Sequence, residues 1–463
     1  MSDLSFVARS FGPYRRDVVR AGVCVFVETT LELFIPFLMS SVIDDGVLAH
    51  DAAVVWTRGA AMLACAAAAL LLGMGYARFS ARAAMGLGAN LRRAEYAHIQ
   101  RFSFGNLDDF ESSSLVTRMT TDVTVIQNAM VTGFRPLLRG PVMLVMGLAL
   151  SCAMSRDLAL VFFAIVPFLA VVLWFIVRHV GPLYRVLQHA MDRLNDALQE
   201  DLAAIRAIKA YVREGTIAER FEEVNGDLAR TATRTFAGAV LNTPIFQLSM
   251  YVACVGILWV GGNMILAGTL QVGTLTGFMS YVLQIMNSLM MISNVFLLLA
   301  RALTSIERVR EVLDEEPDIA SPADALREVP DGSVRFEGVG FKYRADAKKN
   351  VLEGIDLDFA AGSTVGILGA TGSGKTTLVQ LIARLYDASE GRVLVGGHDV
   401  REYDLACLRD AVGVVLQTNV LFSGTVRDNL RWGNPKATDE ELLRACRVAC
   451  VDEFLDRIGG LDG

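Results

Sequence analysis

The sequence predicts two domains: an all-α transmembrane domain of six spans, followed by an incomplete α/β domain of the P-loop class. Hydrophobic residues make up 53% of the 463 residues and charged residues only 20%, against roughly 25% charged in an average soluble chain. The mean hydropathy is +0.42. Residues 369–376 read Gly-Ala-Thr-Gly-Ser-Gly-Lys-Thr, directly after an apolar run. Membrane helices and a phosphate-binding loop are therefore expected in one chain.

Composition also excludes some functions. The net charge of −7 and the isoelectric point near 5.4 argue against a nucleic-acid partner, which requires a basic surface. The chain has 7 cysteines and no Cys-x-x-Cys pair. We therefore interpret the cysteines as small buried hydrophobic residues rather than metal ligands or disulfides.

Six segments are apolar over the roughly 20 residues that a membrane span requires. They are 18–43, 58–79, 133–154, 157–178, 240–262 and 273–300. Arg9, Arg15, Arg16 and Arg20 precede the apolar part of the first segment, which is too long for the apolar part of a signal peptide. We therefore predict a cytoplasmic segment at 1–17 and a transmembrane domain at 18–303.

The distribution of basic residues predicts the orientation of these spans. The stretches after the second and fourth spans are long and rich in arginine, whereas the connection at 44–51 is acidic and the loop at 261–274 has no charge. The positive-inside rule places the basic stretches and both termini in the cytoplasm. We predict a multi-pass protein of the cell inner (plasma) membrane.

The basic stretches are themselves predicted to be helical. Between 186 and 224, apolar residues recur every three or four positions, with Asp and Arg between them. We therefore expect the spans to continue as helices into the cytoplasm.

Two carboxylates lie inside the first span. Glu28 and Glu32 are one helical turn apart on the same face, and Pro36 leaves the Glu32 carbonyl without its helical partner. Charge inside a membrane is costly and usually faces a cavity or a partner. Two interpretations stay open, a cation-attracting patch in a translocation cavity and a structural pair solvated near the interface.

The pattern changes after Leu313. Residues 304–333 are predicted to form a linker, and 334–463 a partial nucleotide-binding domain. Alternating apolar residues predict strands at 334–343 and 355–359, and Val365–Leu368 is predicted to be a short buried strand that leads into the glycine-rich loop.

The glycine-rich loop has the residues that phosphate binding requires. Gly372 and Gly374 allow backbone N–H groups to curl around the terminal phosphates of a nucleotide. Lys375 adds a mobile cation at the start of a helix, and the Thr376 hydroxyl can ligate Mg²⁺. The sequence therefore predicts ATP and Mg²⁺ as cofactors.

Two further residues are candidates on weaker grounds. Tyr343 lies on the strand before the loop, where it either stacks on the adenine or belongs to the core. Gln417 follows the apolar strand predicted at Val412–Leu416, from which its amide can reach Mg²⁺ or an attacking water.

Together these segments resemble the ABC transporter family, in particular half-transporters of the exporter type, over nearly the whole chain. Val339–Tyr343 is similar to the family's adenine-stacking loop, 369–377 to its Walker A motif, and Gln417 to its Q-loop glutamine. Thr376 and Gln417 are implied as metal-binding residues. The implied nucleotide-binding residues are Tyr343, Gly369, Ala370, Thr371, Gly372, Ser373, Gly374, Lys375, Thr376, Thr377 and Gln417.

The family's signature motif, Walker B aspartate, catalytic glutamate and switch histidine are not in this sequence. Val451–Glu453 mimics the end of a Walker B motif, but the apolar spacing at 442–449 is helical. No catalytic residue is therefore predicted. We expect that this sequence is a truncated reading of a longer gene. The 463-residue chain by itself is expected to bind MgATP weakly and not to hydrolyse it.

The resemblance implies a subunit of an ATP-driven exporter, in which ATP binding at Walker A is coupled to alternating access. The expected partners are a second half-transporter (identical or different), membrane lipid and a transported substrate that the sequence does not identify. Two other functions stay open. One is a non-catalytic regulatory or membrane-anchored P-loop protein, and the other is an importer with the exporter fold.

Overall fold

The computed structural model describes residues 3–344 and 346–463, apart from some side chains in helices, most of them in 165–181 and 293–300. The chain divides into two compact units. The first comprises the chain up to Phe102 together with 107–316, and the second comprises Ser103–Asn106 and Pro317–Gly463.

The first unit is built from helices, as predicted. They are α1 (Asp3–Ser10), α2 (Arg15–Ser41), α3 (Ala52–Ile99), α4 (Phe104–Asp109, shared with the second unit), α5 (Ser112–Thr117), α6 (Val123–Asn128), α7 (Phe134–Met154), α8 (Arg156–Ala203), α9 (Ile205–Ala210), α10 (Glu214–Val240), α11 (Asn242–Leu266) and α12 (Val272–Asp314). Short π-helical turns at Val42–Val47, Arg118–Asp122 and Ala129–Gly133 connect several of them.

In the described part of the chain, 5 helical stretches are long and apolar enough to cross a membrane. They are Gly12–Val47, Ala52–Ile99, Ser112–Met154, Glu214–Leu266 and Val272–Ile292. The predicted span at 157–178 lies in α8, where several side chains fall outside the described residues.

The longest helices extend well beyond the thickness of a membrane. Helices α3 and α8 each have 48 residues, which at 1.5 Å per residue is about 72 Å, against a hydrocarbon core of about 30 Å. The predicted helical stretch at 186–224 is formed by α8, α9 and α10, with interruptions at Ala204 and 211–213. The prediction that helices continue past the spans is confirmed.

The core of the first unit joins α2, α8, α11 and α12. Phe162 and Phe278 stack with their ring centroids 6.0 Å apart, and the buried Tyr281 hydroxyl donates to the Leu33 carbonyl at 2.7 Å. Asp44, just after α2, accepts from the backbone N–H groups of Gly273 and Thr274 at 2.6 and 2.9 Å and so caps the start of α12. These contacts fix α2 against α12.

The second unit contains a sheet and short helices. The strands are β1 (Val334–Phe341), β2 (Leu352–Phe359), β3 (Glu390–Val395) and β4 (His398–Asp399), in the order β2-β1-β3-β4 with every pair antiparallel. The helices are α13 (Lys375–Ile382), α14 (Leu405–Ala411), α15 (Val426–Leu430), α16 (Asp439–Val448) and α17 (Asp452–Leu455). The α/β class is confirmed. The helical spacing at 442–449 is borne out by α16, and Val451–Glu453 leads into α17 rather than ending a strand.

The prediction of a strand at Val365–Leu368 is wrong, and so is the prediction of one at Val412–Leu416. Neither segment is a strand, and Leu368 and Val415 are 97% and 91% exposed. A strand forms when a neighbouring backbone pairs with it, and within the described residues the sheet ends at β2 and β4 without pairing to either segment. Apolar composition alone therefore does not make these segments strands.

Candidate nucleotide-binding site

The glycine-rich loop has the backbone geometry that its sequence predicts. Gly372 and Gly374 have φ angles of +80° and +87°, which residues with a side chain adopt only with strain. Gly374 is the residue directly before α13, and a Cβ there would lie 2.7 Å from the Leu352 side chain on β2. The φ angle favours glycine, and any side chain would also displace the Leu352 methyl, so Gly374 fixes how the loop enters the helix.

Lys375 is folded over this loop. Its ammonium group donates to the carbonyl oxygens of Gly369 and Ala370 at 2.9 and 2.8 Å, and lies 3.5 Å from the Ser373 hydroxyl. The loop carbonyls therefore hold the cation at the N-terminus of α13, where the helix dipole also favours an anion. Phosphate oxygens are stronger acceptors for an ammonium group than neutral carbonyls are.

Lys375 and Gln417 meet at one cavity, although they are far apart in sequence. The cavity has a volume of about 350 Å³ and is lined by Ile367, Lys375, Thr376, Val379, Gln380, Val414, Val415, Leu416 and Gln417. The lysine, the Thr376 hydroxyl and the Gln417 amide supply a cation and oxygen ligands at one place. These groups fit a magnesium nucleotide, because Mg²⁺ prefers few protein oxygens together with phosphates and waters.

No group of three or more His, Cys, Asp or Glu residues that could hold a metal was found where the chain is described. Among the residues that line the cavity, the side chains with oxygen atoms are those of Thr376, Gln380 and Gln417. That composition suits a hard cation with oxygen ligands rather than zinc.

Tyr343 lies beside the loop but is not among the residues that line this cavity. Its hydroxyl is 2.8 Å from the Thr377 hydroxyl, and its ring packs edge-on against Tyr386 at 5.2 Å between centroids. The residue is 44% exposed, so it is not a core residue. The ring is held at the P-loop helix with surface left for a ligand.

Gln380 was not predicted from the sequence. Within the described part of the chain its side-chain oxygen is buried without a partner, and its side chain lines the same cavity as Lys375. The signal was available, because Gln380 follows Thr376 by four residues and thus lies on the same helix face.

In the structure, each of the two carboxylates of the first span is paired with an arginine. Glu28 on α2 accepts from Arg135 on α7, and Glu32 accepts from Arg139. These arginines were missed, although their spacing of four residues matches that of the glutamates. The pairing neutralises the carboxylates and favours the structural interpretation over a cation-attracting patch.

A membrane-embedded helical unit fused to a domain with a phosphate-binding loop defines a class of ATP-powered membrane proteins. Family models agree: the ABC transporter transmembrane region matches residues 18–289 and the ABC transporter domain matches 352–461. The chain belongs to the ABC transporter family, as an exporter-type half-transporter that joins both domains in one chain.

Three relatives illustrate the match. An uncharacterised ABC transporter ATP-binding protein of Mycobacterium tuberculosis is 35% identical over 461 residues, covering 98% of this chain and 79% of that protein. Another, of Bacillus subtilis, is 32% identical, covering 96% of this chain and 77% of that protein. An ATP-dependent lipid A-core flippase of Desulfotalea psychrophila is 29% identical, covering 83% and 67%.

Proposed function

We propose that the chain is a subunit of an ATP-driven exporter in which MgATP binds at 369–377 and drives alternating access. The observation that carries this proposal is the cavity where Lys375, Thr376 and Gln417 meet, beside the left-handed Gly374. A lysine, a hydroxyl and an amide placed in this way suit the binding of terminal phosphates and Mg²⁺. The apolar helices of the first unit supply the membrane part of a transporter.

The chain's own residues have separate roles in this proposal. Lys375 leaves the carbonyls of Gly369 and Ala370 and pairs with the oxygens of the terminal phosphates, while the N–H groups at the start of α13 donate to them. Thr376 and Gln417 hold the Mg²⁺, and Tyr343 stacks on the adenine. Bound Mg²⁺ supplies charge neutralisation between the terminal phosphates.

The partners follow from the half-transporter organisation. One chain provides one transmembrane domain and one P-loop domain, so we propose that it works as a dimer with an identical or different half-transporter. The relative named as a lipid A-core flippase supports a lipid as the class of cargo. The arginine-rich stretches support cytoplasmic termini in the cell's plasma membrane.

An anchored P-loop protein that transports nothing is the weaker alternative. An anchor requires one span, whereas the described part of the chain has 5 helices that are long and apolar enough to cross a membrane. The helices are also packed into a common core around Tyr281 and Phe278, as a unit that binds and moves a cargo requires.

The proposal is tested by ATP binding to the full chain in lipid nanodiscs. Wild type should bind ATP in the presence of Mg²⁺, and Lys375→Ala should bind at least about tenfold more weakly, since tenfold corresponds to only about 1.4 kcal/mol. Lys436→Ala is the matched control, because Lys436 is an exposed lysine outside the cavity. Equal ATP affinity of wild type and Lys375→Ala would contradict the proposal.

A further inference from the structure

A second polar site lies inside the helical unit, between α2, α7 and α12. Two adjoining cavities of about 340 and 420 Å³ share Arg139, Met143 and Gln284 among their lining residues. Each volume is within the range of about 300–1,000 Å³ that small-molecule sites occupy. All three helices belong to predicted spans, so these cavities lie at the level of the membrane.

The polar groups of this site have unused hydrogen-bonding capacity. A guanidinium group has five N–H donors, and within the described residues Arg139 uses them for one partner, Glu32, while its Nε is buried without an acceptor. The side-chain oxygen of Gln284 is likewise buried without a donor. Buried polar groups without a partner are costly, so a ligand is favoured if these two side chains rotate to present the groups to it.

Pro36 leaves one backbone carbonyl of α2, in the turn that lines this cavity, without its helical donor. It lines the larger cavity next to Glu32, and because proline has no N–H, the Glu32 carbonyl lacks its usual helical donor. The site therefore offers donors on α7 and acceptors on α2 and α12.

The charges of the site define the head of the ligand. Arg139 and Glu32 carry opposite charges at hydrogen-bond distance, so the pair has no net charge. A ligand with a net charge would leave that charge uncompensated inside the membrane, which is costly. A zwitterion instead places its anionic group on the free N–H groups of Arg139 and its cationic group on the Glu32 carboxylate.

The remaining walls define the rest of the ligand. The sulfur-containing side chains of Met39, Met143, Met290 and Met291 line the two cavities. Methionine is flexible and polarisable, and it is favoured where one surface must accept apolar chains of varied shape. The walls therefore suit acyl chains next to the polar head.

We propose that this site binds a zwitterionic membrane lipid, with the head against the Arg139–Glu32 pair and the acyl chains along the methionines. The inference deepens the proposed function, on which it rests, by naming the head chemistry of the cargo.

The experiment is a titration of the full chain, in detergent, with three short-chain lipids that differ only in the head. The probes are dihexanoyl forms of phosphatidylethanolamine (zwitterionic), phosphatidylglycerol (anionic) and diacylglycerol (uncharged), with heat release as the readout. Wild type should prefer the zwitterionic lipid by about tenfold or more, which corresponds to about 1.4 kcal/mol. Equal affinity for all three lipids, or preference for another head, would overturn the proposal.

Variants locate the binding site. The double variant Glu32→Gln with Arg139→Gln removes both charges without leaving one of them unpaired, and it should lose the preference for the zwitterionic head. Gln284→Leu should weaken that lipid alone by about threefold, the loss of one modest hydrogen bond. Retained preference in the double variant would overturn the assignment to this site.

The matched control is Glu200→Gln with Arg220→Gln, which removes an exposed pair with an N–O distance of 2.7 Å and should leave lipid binding unchanged. ATP binding, measured on each sample, reports folding and separates the two proposals. If wild type does not bind ATP, the proposed function is contradicted. If wild type binds ATP but shows no preference for the zwitterionic head, only the lipid site is contradicted.

Discussion

The phenol oxygen of Tyr343 lies 2.8 Å from the hydroxyl of Thr377, the second residue after the P-loop lysine. This hydrogen bond ties an aromatic ring to the first turn of α13, next to the place where terminal phosphates are expected to bind. An adenine ring stacked there would be held at a fixed distance from Lys375.

Replacing Tyr343 should separate its two contributions. Tyr343→Phe keeps the ring and removes the hydrogen bond, so ATP affinity should fall by less than about threefold. Tyr343→Ala removes the stacking surface and should weaken ATP by about 1–3 kcal/mol, the usual range for a base on an aromatic ring. Competition by inorganic triphosphate provides the control, because it has no base. A loss for Tyr343→Ala that is equal for ATP and triphosphate would exclude stacking.

Gly374 should be irreplaceable for a steric reason. In Gly374→Ala the residue would have an unfavourable φ of +87°, and its added carbon would lie 2.7 Å from a terminal methyl of Leu352 and 3.3 Å from the Val351 carbonyl oxygen. Either the loop or Leu352 must then shift, and ATP affinity should fall. Gly397 has a similar φ of +84° with nothing within 4 Å of the added carbon. Gly397→Ala should therefore cost only about 1 kcal/mol of stability and leave ATP affinity unchanged. If both variants bind ATP equally well, the clash at Leu352 has no role.

How much the sequence predicts depends on how local the cause is. The P-loop is predictable because Gly372, Gly374 and Lys375 fix its geometry within a few residues. The continuation of α3 beyond the predicted span at 58–79 is predictable for the same reason, because the spacing of apolar residues along a helix is a local property. The partners of Glu28 and Glu32 are not, because they lie 107 residues away on α7 and depend on how two helices pack.

The two strand predictions failed because a strand depends on contacts that are distant in the sequence. Val365–Leu368 has the composition of a buried strand, but composition supplies neither the hydrogen-bonding neighbour nor the cover that a strand requires. The spacing of four residues places Gln380 on the helix face of Thr376, but a glutamine on a helix surface is usually solvated, and the burial of its oxygen beside the Lys375 cavity depends on the fold.

Acid should weaken the second unit through the start of α16. The Glu441 carboxylate accepts from the backbone N–H and the hydroxyl of Thr438 at 2.8 and 3.1 Å. These two hydrogen bonds, the backbone one first, lower the pKa of Glu441 below its ordinary 4.5. A lowered folded-state pKa means that the stabilisation is present above the unfolded pKa and is lost as the pH falls through the folded-state pKa.

The test is thermal unfolding as a function of pH. The unfolding temperature of wild type should fall once the pH drops below about 4.5, and Glu441→Gln, which accepts the same bonds but does not titrate, should flatten that slope. Glu440→Gln is the matched control, since the neighbouring Glu440 is exposed and the hydrogen bonds of the cap join Thr438 to Glu441. An unchanged slope in Glu441→Gln would contradict the assignment.

Removing only Arg135 from its pair with Glu28 should destabilise the fold more than replacing both residues by apolar ones. The Glu28 side chain is only 5% exposed, and its second oxygen is buried with no partner among the residues that the structure describes. Arg135→Met therefore leaves a buried carboxylate unpaired and should lower the free energy of unfolding by about 3–5 kcal/mol. Replacing both, as Glu28→Leu with Arg135→Met, should cost much less, because no buried charge remains.

Reversible unfolding in mixed micelles measures these differences. Arg193→Met is the matched control, since Arg193 pairs with Asp227 while the two side chains are 63% and 39% exposed, and exposed pairs contribute at most about 1 kcal/mol. If the double variant is as unstable as Arg135→Met, the cost comes from lost packing of the arginine rather than from the unpaired charge. A smaller loss in the double variant shows that Arg135 is present in the span because Glu28 is, and the helices α2 and α7 then depend on each other through charge.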